Sequence, residues 1–301
     1  MLRVDVDATD LPRKLLRSRI QVDAEVDTLA LLYPKWIPGI HAPRGPVENV
    51  AGFVPRDAEG NVLAWARDWA AVFRFLVPLT QTAGPVTVDL TYITNQPSTN
   101  SRGIDAFGYR TLGIINWNTI LLYPEGAVTD EMEVQLTLTL SAGWQAGSAI
   151  PVKERRDNRI TFEPLSLTRL VDSPLVCGLH DRQVELARTD VASYLTDIVA
   201  DEAKDLPADS LLQPLGDLVL ESEELFGPSL TSTAITSCSP SVIRCRAWGS
   251  SIARVSSTRQ KRTPFETSTG RRMVSAICCP TNGSDSLGLM RRGQSYYFEG
   301  R

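Results

Sequence analysis

The sequence predicts a mainly β protein: an antiparallel β-sandwich, then a short α/β region, then a disordered basic tail. Three observations carry this. Apolar and polar residues alternate with period two over residues 1–180. Helical spacing is confined to a stretch around residues 211–226. The charge balance inverts at Gly227: residues 1–227 hold 20 Lys+Arg against 32 Asp+Glu, whereas residues 228–301 hold 11 against 3. The overall net charge of −4 therefore hides two unlike parts, of −12 and +8. The expected domains are a sandwich over 1–180, an α/β region over 181–227 and a tail over 228–301.

Each element follows from local pattern. Ile20-Gln21-Val22-Asp23-Ala24, Phe73-Arg74-Phe75, Val86–Tyr92 and Met132–Leu140 place apolar side chains at every second position. That period puts one face toward a core and the other toward water. Pro43–Pro46 and Gly84-Pro85 punctuate the runs. Beyond His180, Leu195, Ile198 and Val199 suggest a short strand. Leu211, Leu215, Leu218, Val219, Leu225 and Phe226 follow helical spacing, with Asp209 or Ser210 as the N-cap and Pro214 early in the run.

Composition excludes several classes. No apolar run approaches the roughly 20 residues that span a bilayer. The start, Met1-Leu2-Arg3-Val4-Asp5-Val6-Asp7, lacks the apolar region of a secretory signal, so a soluble, cytoplasmic protein with no membrane partner is expected. Cys177 is the single cysteine of residues 1–227, which rules out an internal disulfide framework there. Glycine-rich dinucleotide, P-loop and nucleophile-elbow motifs are absent.

Tyr33-Pro34-Lys35-Trp36-Ile37-Pro38-Gly39, followed by His41, Pro43, Gly45-Pro46, Asn49 and Ala51-Gly52-Phe53, is a long, rigid loop fixed by proline and glycine. The string resembles the N-terminal domain of the glycyl-aminopeptidase family, zinc peptidases of the thermolysin-like group. Asn116-Trp117-Asn118, leading to Leu121-Leu122-Tyr123-Pro124, is similar to a second signature of that family. Leu170-Val171-Asp172-Ser173-Pro174 resembles its hinge between first and catalytic domains. The likeness covers residues 1–227. It implies a β-sandwich, a thermolysin-like catalytic domain beginning near residue 181 and, in intact members, a PDZ domain, a zinc cofactor and a peptide substrate. The zinc site would be His-Glu-x-x-His on one helix, with a downstream Glu as third ligand and the helix Glu as general base.

Residues 181–301 contain no histidine, so that site is not in this chain. Cys238 and Cys245 lie seven positions apart and Cys278 adjoins Cys279, neither of which is a zinc spacing. Codon arithmetic offers a cause. In the frame that joins each codon's third base to the next two, Cys278 into Cys279 must encode Leu. The junctions from Ala276 through Ser284 permit Asp-Leu-Leu-Pro-His-Glu-Trp-Val, which resembles the start of the family's zinc helix. Thr233–Ser251, shifted the same way, permits Arg-Tyr-His-Phe-Leu-Leu-Thr-Leu-Ser-Asp-Gln-Val and then Met-Gly-Leu, similar to the family sequence ahead of that helix. A frameshift between Gly227 and Thr233, by gene decay or sequencing error, accounts for both.

No catalytic, cofactor-binding or metal-ligating residue is therefore assigned in this chain. His41 and His180 read as structural histidines. Trp36, Trp65, Trp69, Trp117 and Trp144 read as core or loop-anchoring aromatics. Glu221, Glu223 and Glu224 read as a solvated helix face. The tail holds 14 Ser and 8 Thr among its arginines and forms no basic face, so no nucleic-acid partner is expected. Three functions remain: a truncated, inactive peptidase relative; an active zinc aminopeptidase whose intact product differs from this tail; or a stand-alone sandwich module with a basic tail.

Overall fold

The alternating runs become strands whose apolar positions share one face. The structure is a computed structural model that describes residues 1–37, 42–79, 84–94, 105–190, 193–226, 235–238 and 256–257. Contacts divide the described residues into two compact units: 1–144 with 150–174, and 145–149 with those from 175 to 257.

The first unit carries, in chain order, β1 (Leu2–Asp7), β2 (Leu15–Ala24), β3 (Thr28–Leu32), β4 (Val50–Arg56), β5 (Ala66–Arg67), β6 (Arg74–Pro78) and β7 (Gly84–Ile93). β8 (Phe107–Gly108), β9 (Leu112–Ile115), β10 (Tyr123–Pro124) and β11 (Glu133–Thr139) follow. After β12 (Gln145–Ser148), which belongs to the second unit, come β13 (Val152–Arg156), β14 (Arg159–Phe162), β15 (Leu165–Ser166) and the short helix α1 (Leu167–Val171). The main sheet runs β13-β14-β11-β1-β2-β7-β4, with β15 also on β11. A second sheet runs β10-β3-β6-β5.

Alternation explains the main sheet's inner face. Leu2, Val4 and Val6 of β1, Leu16, Ile20 and Val22 of β2, and Val86, Val88, Leu90 and Tyr92 of β7 are all buried. β2 and β7 pair over their full length, Leu15 opposite Ile93 through Ala24 opposite Gly84. The second sheet contributes Leu29, Leu31, Phe75 and Val77. Phe53 of β4 stacks on Phe75 of β6 at 4.7 Å between ring centres, and Trp65 leans on Phe53 at 4.6 Å. The two sheets thus meet face to face, as the sandwich reading expects. One pair departs from antiparallel order: β1 runs parallel to β11, Leu2 opposite Val134. Strands so far apart in sequence have no short turn to fix their relative direction.

The Tyr33–Phe53 segment is less irregular than the proline spacing suggests. A 3-10 turn spans Val47–Asn49 and β4 starts at Val50, where the prolines thin out.

The second unit adds β16 (Leu175–Gly178), β17 (His180–Arg188), β18 (Ser193–Ala200), helix α2 (Asp209–Phe226), β19 (Ile235–Cys238) and β20 (Ser256–Ser257). β12 pairs antiparallel with β16. β17 and β18 form an antiparallel pair with a bulge between Glu185 and Ala187. β19 lies parallel to β18, and β20 antiparallel to it. α2 packs on β17. Its buried face is Leu212, Gly216 and Val219, spaced four and three residues apart. At Gly216 an added Cβ would lie 2.5 Å from the Leu186 carbonyl oxygen, so glycine sets how closely helix and strand approach. Pro214 sits at the sixth helical residue, beyond the first turn, where it leaves the Ser210 carbonyl without its usual donor.

The disordered-tail expectation lies mostly outside the described residues. Those described beyond Gly227, 235–238 and 256–257, are short strands. They take that form because an exposed strand edge pairs with any proline-free backbone. No helix among the described residues is long and apolar enough to cross a membrane.

Candidate functional site

Two of the sequence signatures converge on one buried circuit of hydrogen bonds in the first unit. Tyr33, next after β3, donates its hydroxyl to the Thr119 carbonyl at 3.0 Å. The Thr119 hydroxyl donates to the Asn116 carbonyl at 2.7 Å, and the Asn116 amide donates to the Asp105 carbonyl at 2.8 Å. Tyr92 donates to the Asp105 carboxylate at 3.0 Å and accepts from the Asn49 amide at 3.1 Å. All six residues are buried, none more than 8 % exposed. The loop itself is closed by the Lys35 carbonyl, which accepts from the amides of Arg44 and Gly45. An added Cβ at Gly45 would fall 1.9 Å from the Pro34 carbonyl oxygen, so only glycine permits that crossing.

Electrostatics keep the two phenols of the circuit protonated. Burial pushes the Tyr33 hydroxyl well above the usual phenol range, and the charges of Tyr92 and Asp105 push the same way. Burial, then the Asp105 charge, raises Tyr92 as well. Both phenols hold their protons at neutral pH and serve as donors. The arrangement ties β3, the proline loop, β7 and the Asn116 turn into one rigid block.

Trp117 is 1 % exposed and donates its indole N–H to the Ser173 carbonyl at 2.7 Å. The hinge-like Leu170–Pro174 string therefore packs against the Asn116–Asn118 signature, and the boundary between the units falls directly after Pro174. Trp144 is buried and Trp65 is an anchor against Phe53, both as the sequence suggests. Trp36 is half-buried, with no partner for its indole N–H among the described residues. Trp69 is a correction: at 92 % exposure it anchors nothing, because the Asp68 turn points it into solvent. His180 opens β17 half-buried, opposite Ala200. His41, Cys245, Cys278 and Cys279 lie outside the described residues, and of Cys238 only the backbone is described.

Glu221 and Glu224 are exposed, as a solvated face requires, but Glu223 is not part of that face. It accepts from the Tyr194 hydroxyl at 2.9 Å and from the Thr189 hydroxyl at 3.3 Å, clamping α2 to the β17–β18 hairpin. Burial, then this bond to Glu223, raises Tyr194 above the usual phenol range. The apolar stripe of α2 is also better covered than its sequence suggests. Leu215 and Leu218 are half-buried, while Leu211 and Leu225 remain exposed.

Sequence reasoning missed Asp197 of β18. Burial raises its carboxyl above the usual range, opposed by a hydrogen bond from Gln183 at 2.8 Å and reinforced by the charge of Asp181. Gly147 of β12 abuts it so closely that an added Cβ would lie 2.1 Å from the Asp197 Cβ. A lone Asp in an alternating strand gives no signal of this. Among the described residues, no group of three or more His, Cys, Asp or Glu side chains stands together as a metal site. These residues do not fit a zinc ion.

The fold around the buried circuit has a known counterpart. The peptidase M61 N-terminal domain matches residues 3–179. The chain belongs to that family. The M61 match takes in the proline loop, the Asn116 turn and the Pro174 boundary. No curated protein matches the chain. Among solved structures it is similar to an aminopeptidase N family protein from Idiomarina loihiensis, at 18 % identity and a TM-score of 0.64, over 78 % of this chain and 38 % of that one. It is also similar to an M1 zinc metallopeptidase from Deinococcus radiodurans, at 11 % identity and a TM-score of 0.44, over 79 % of this chain and 55 % of that one. The first likeness is one of fold. The M61 chain spans 38 % of the length of the Idiomarina protein.

Proposed function

We propose that this chain is a catalytically silent relative of a zinc-dependent glycyl aminopeptidase, which keeps the N-terminal sandwich and the first elements of a catalytic region over 181–227. The observation that carries the reading is the match to the M61 N-terminal domain over residues 3–179 in a sequence with no histidine after His180. Zinc hydrolysis needs about three protein ligands and an open position for water. The residues here supply no such set. Peptide substrates belong to the intact relative, and for this chain a cytoplasmic setting is proposed.

The codon junctions favour a second reading, in which the intact gene product is an active zinc aminopeptidase. In that protein zinc would supply an activated water against the peptide carbonyl. Sequencing the coding DNA across codons 227–290 separates the two. The first reading expects the shifted frame in genomic DNA and in transcript. An uninterrupted frame through His-Glu-Trp-Val assigns the active enzyme instead.

A further inference from the structure

β5 ends the second sheet of the first unit and leaves an apolar border in water. β6 lies on one side of it, and no strand among the described residues lies on the other. Along this border Val62, Trp65, Trp69 and Val72 are 62 %, 43 %, 92 % and 48 % exposed. The four alanines between them are exposed as well. Tryptophan is highly buried on average, so one left almost wholly in water calls for a reason.

The border is held in place. The Asp68 carboxylate accepts from the Ala70 and Ala71 amides at 2.9 and 3.2 Å and from the Arg74 guanidinium at 3.2 Å. Arg67 donates from Nε to the Val72 carbonyl at 2.6 Å, and its guanidinium lies over the Phe75 ring. Trp65 rests on Phe53. These bonds fix the backbone that carries Trp69, so little ordering is left to be paid when it binds.

Area and charge select the occupant. The four side chains alone expose about 500 Å² of mostly apolar surface, within the range of the largest patch on a monomer. Two such faces together bury about 1,000 Å², the size at which an interface becomes specific. From Val62 to Val72 the charged residues are Arg67 and Asp68, one of each sign. A membrane surface draws on clustered Lys and Arg beside the apolar anchors, which this border lacks. A neutral face that carries both signs and ends in an open strand suits its own copy. Across a two-fold axis the edge meets itself antiparallel, and each charge meets its opposite.

We propose that a second copy of this chain docks on the Val62–Val72 border across a two-fold axis, with β5 paired to its counterpart and Trp69 as the anchor of each half. This contact needs neither zinc nor a peptidase site, so it stands or falls apart from the aminopeptidase reading.

Sedimentation equilibrium of the full chain tests it, up to roughly 100 μM, above the micromolar end of the range for interfaces of standard size. The wild type should pass from monomer to dimer. Trp69→Asp should weaken dimerisation at least about tenfold, since a buried Trp anchor is a typical hot spot. Val62→Asp should weaken it too. Both positions are exposed in the single chain, so far-UV circular dichroism should not change. Leu225→Ser, at an exposed leucine of α2, should dimerise as the wild type does. Hydrogen exchange at Trp65–Arg67 should slow as the dimer fills. A wild type that stays monomeric throughout overturns the dimer. A dimer indifferent to Trp69→Asp overturns the border, and its loss in Leu225→Ser would assign the contact to α2. Unchanged exchange across β5 in the dimer overturns the strand pairing. Trp69-dependent binding to phosphatidylcholine vesicles by a chain that does not dimerise would assign the border to a lipid surface and overturn the second copy.

Discussion

The main sheet of the first unit and the β17–β18 sheet of the second are built from the same ladder but backed very differently. β2 and β7 each run ten residues, and both bury their inward faces. β17 buries none of its nine residues, alternating between half-buried and exposed positions. Its cover is one face of α2, and the unit's buried apolar residues lie mainly on β16 and β18. Hydrogen bonds give a strand its place, but buried area gives it most of its stability. The first unit should therefore resist denaturant better than the second.

Substitutions sharpen that contrast. The largest effect is expected in the first unit at Trp117→Ala, which empties a fully buried site and removes the donor to Ser173. It should cost about 3–5 kcal/mol, read from urea unfolding followed by far-UV circular dichroism. A loss below 1 kcal/mol would show that the Asn116 turn is not a core element.

Tyr92→Phe comes next. It leaves the Asp105 carboxylate and the Asn49 amide without the phenol between them and should cost about 1–3 kcal/mol. Tyr33→Phe, added to it, should cost less than the sum of the two singles, since both act in one circuit. Strict additivity would mean that the circuit is five separate bonds.

In the second unit, Gly216→Ala sets helix propensity against sterics. Alanine gains up to about 1 kcal/mol in an exposed helix. Here its Cβ meets the Leu186 carbonyl oxygen, a backbone atom that cannot swing aside. Overpacking should win, for a net loss of about 1–3 kcal/mol, confined to the unfolding of α2 and β17. A more stable variant would mean that helix and strand separate freely.

The smallest effect is expected at Asp197. Its folded-state carboxyl titrates above the ordinary value of 3.8, mainly through burial. The folded protein thus holds this proton more tightly than the unfolded chain. That contribution is present in full below pH 3.8 and is lost as pH rises through the raised folded value. Asp197→Asn keeps an acceptor for Gln183 and removes the charge. It should be slightly more stable than wild type at neutral pH, and the difference should vanish in acid. A pH-independent difference would assign the effect to packing against Gly147.

The same contrast explains what could be read from residues alone. β2, β7 and β11 stand out in the sequence because Ile20-Gln21-Val22, Val86-Thr87-Val88 and Val134-Gln135-Leu136 write their burial in alternation. β17 does not. His180, Asp181, Arg182, Gln183 and Glu185 face water or a helix edge, and only the pairing with β18 makes them a strand. The buried circuit was legible in part. Tyr33, Asn49 and Asn116 lie within the motifs, but Asp105 does not. Its partner Tyr92 reads as an ordinary strand residue. Contacts spanning 13, 43 and 86 positions leave no local period to detect. The parallel course of β1 on β11 is hidden for the same reason.

Under the proposed reading, the M61 N-terminal domain is followed by residues that supply no set of zinc ligands. Metal analysis of the purified full chain, combined with an aminoacyl-substrate assay with and without chelator, tests it most directly. A catalytically silent relative holds no stoichiometric zinc and shows no chelator-sensitive turnover. One zinc per chain, together with hydrolysis that chelator abolishes, would contradict it.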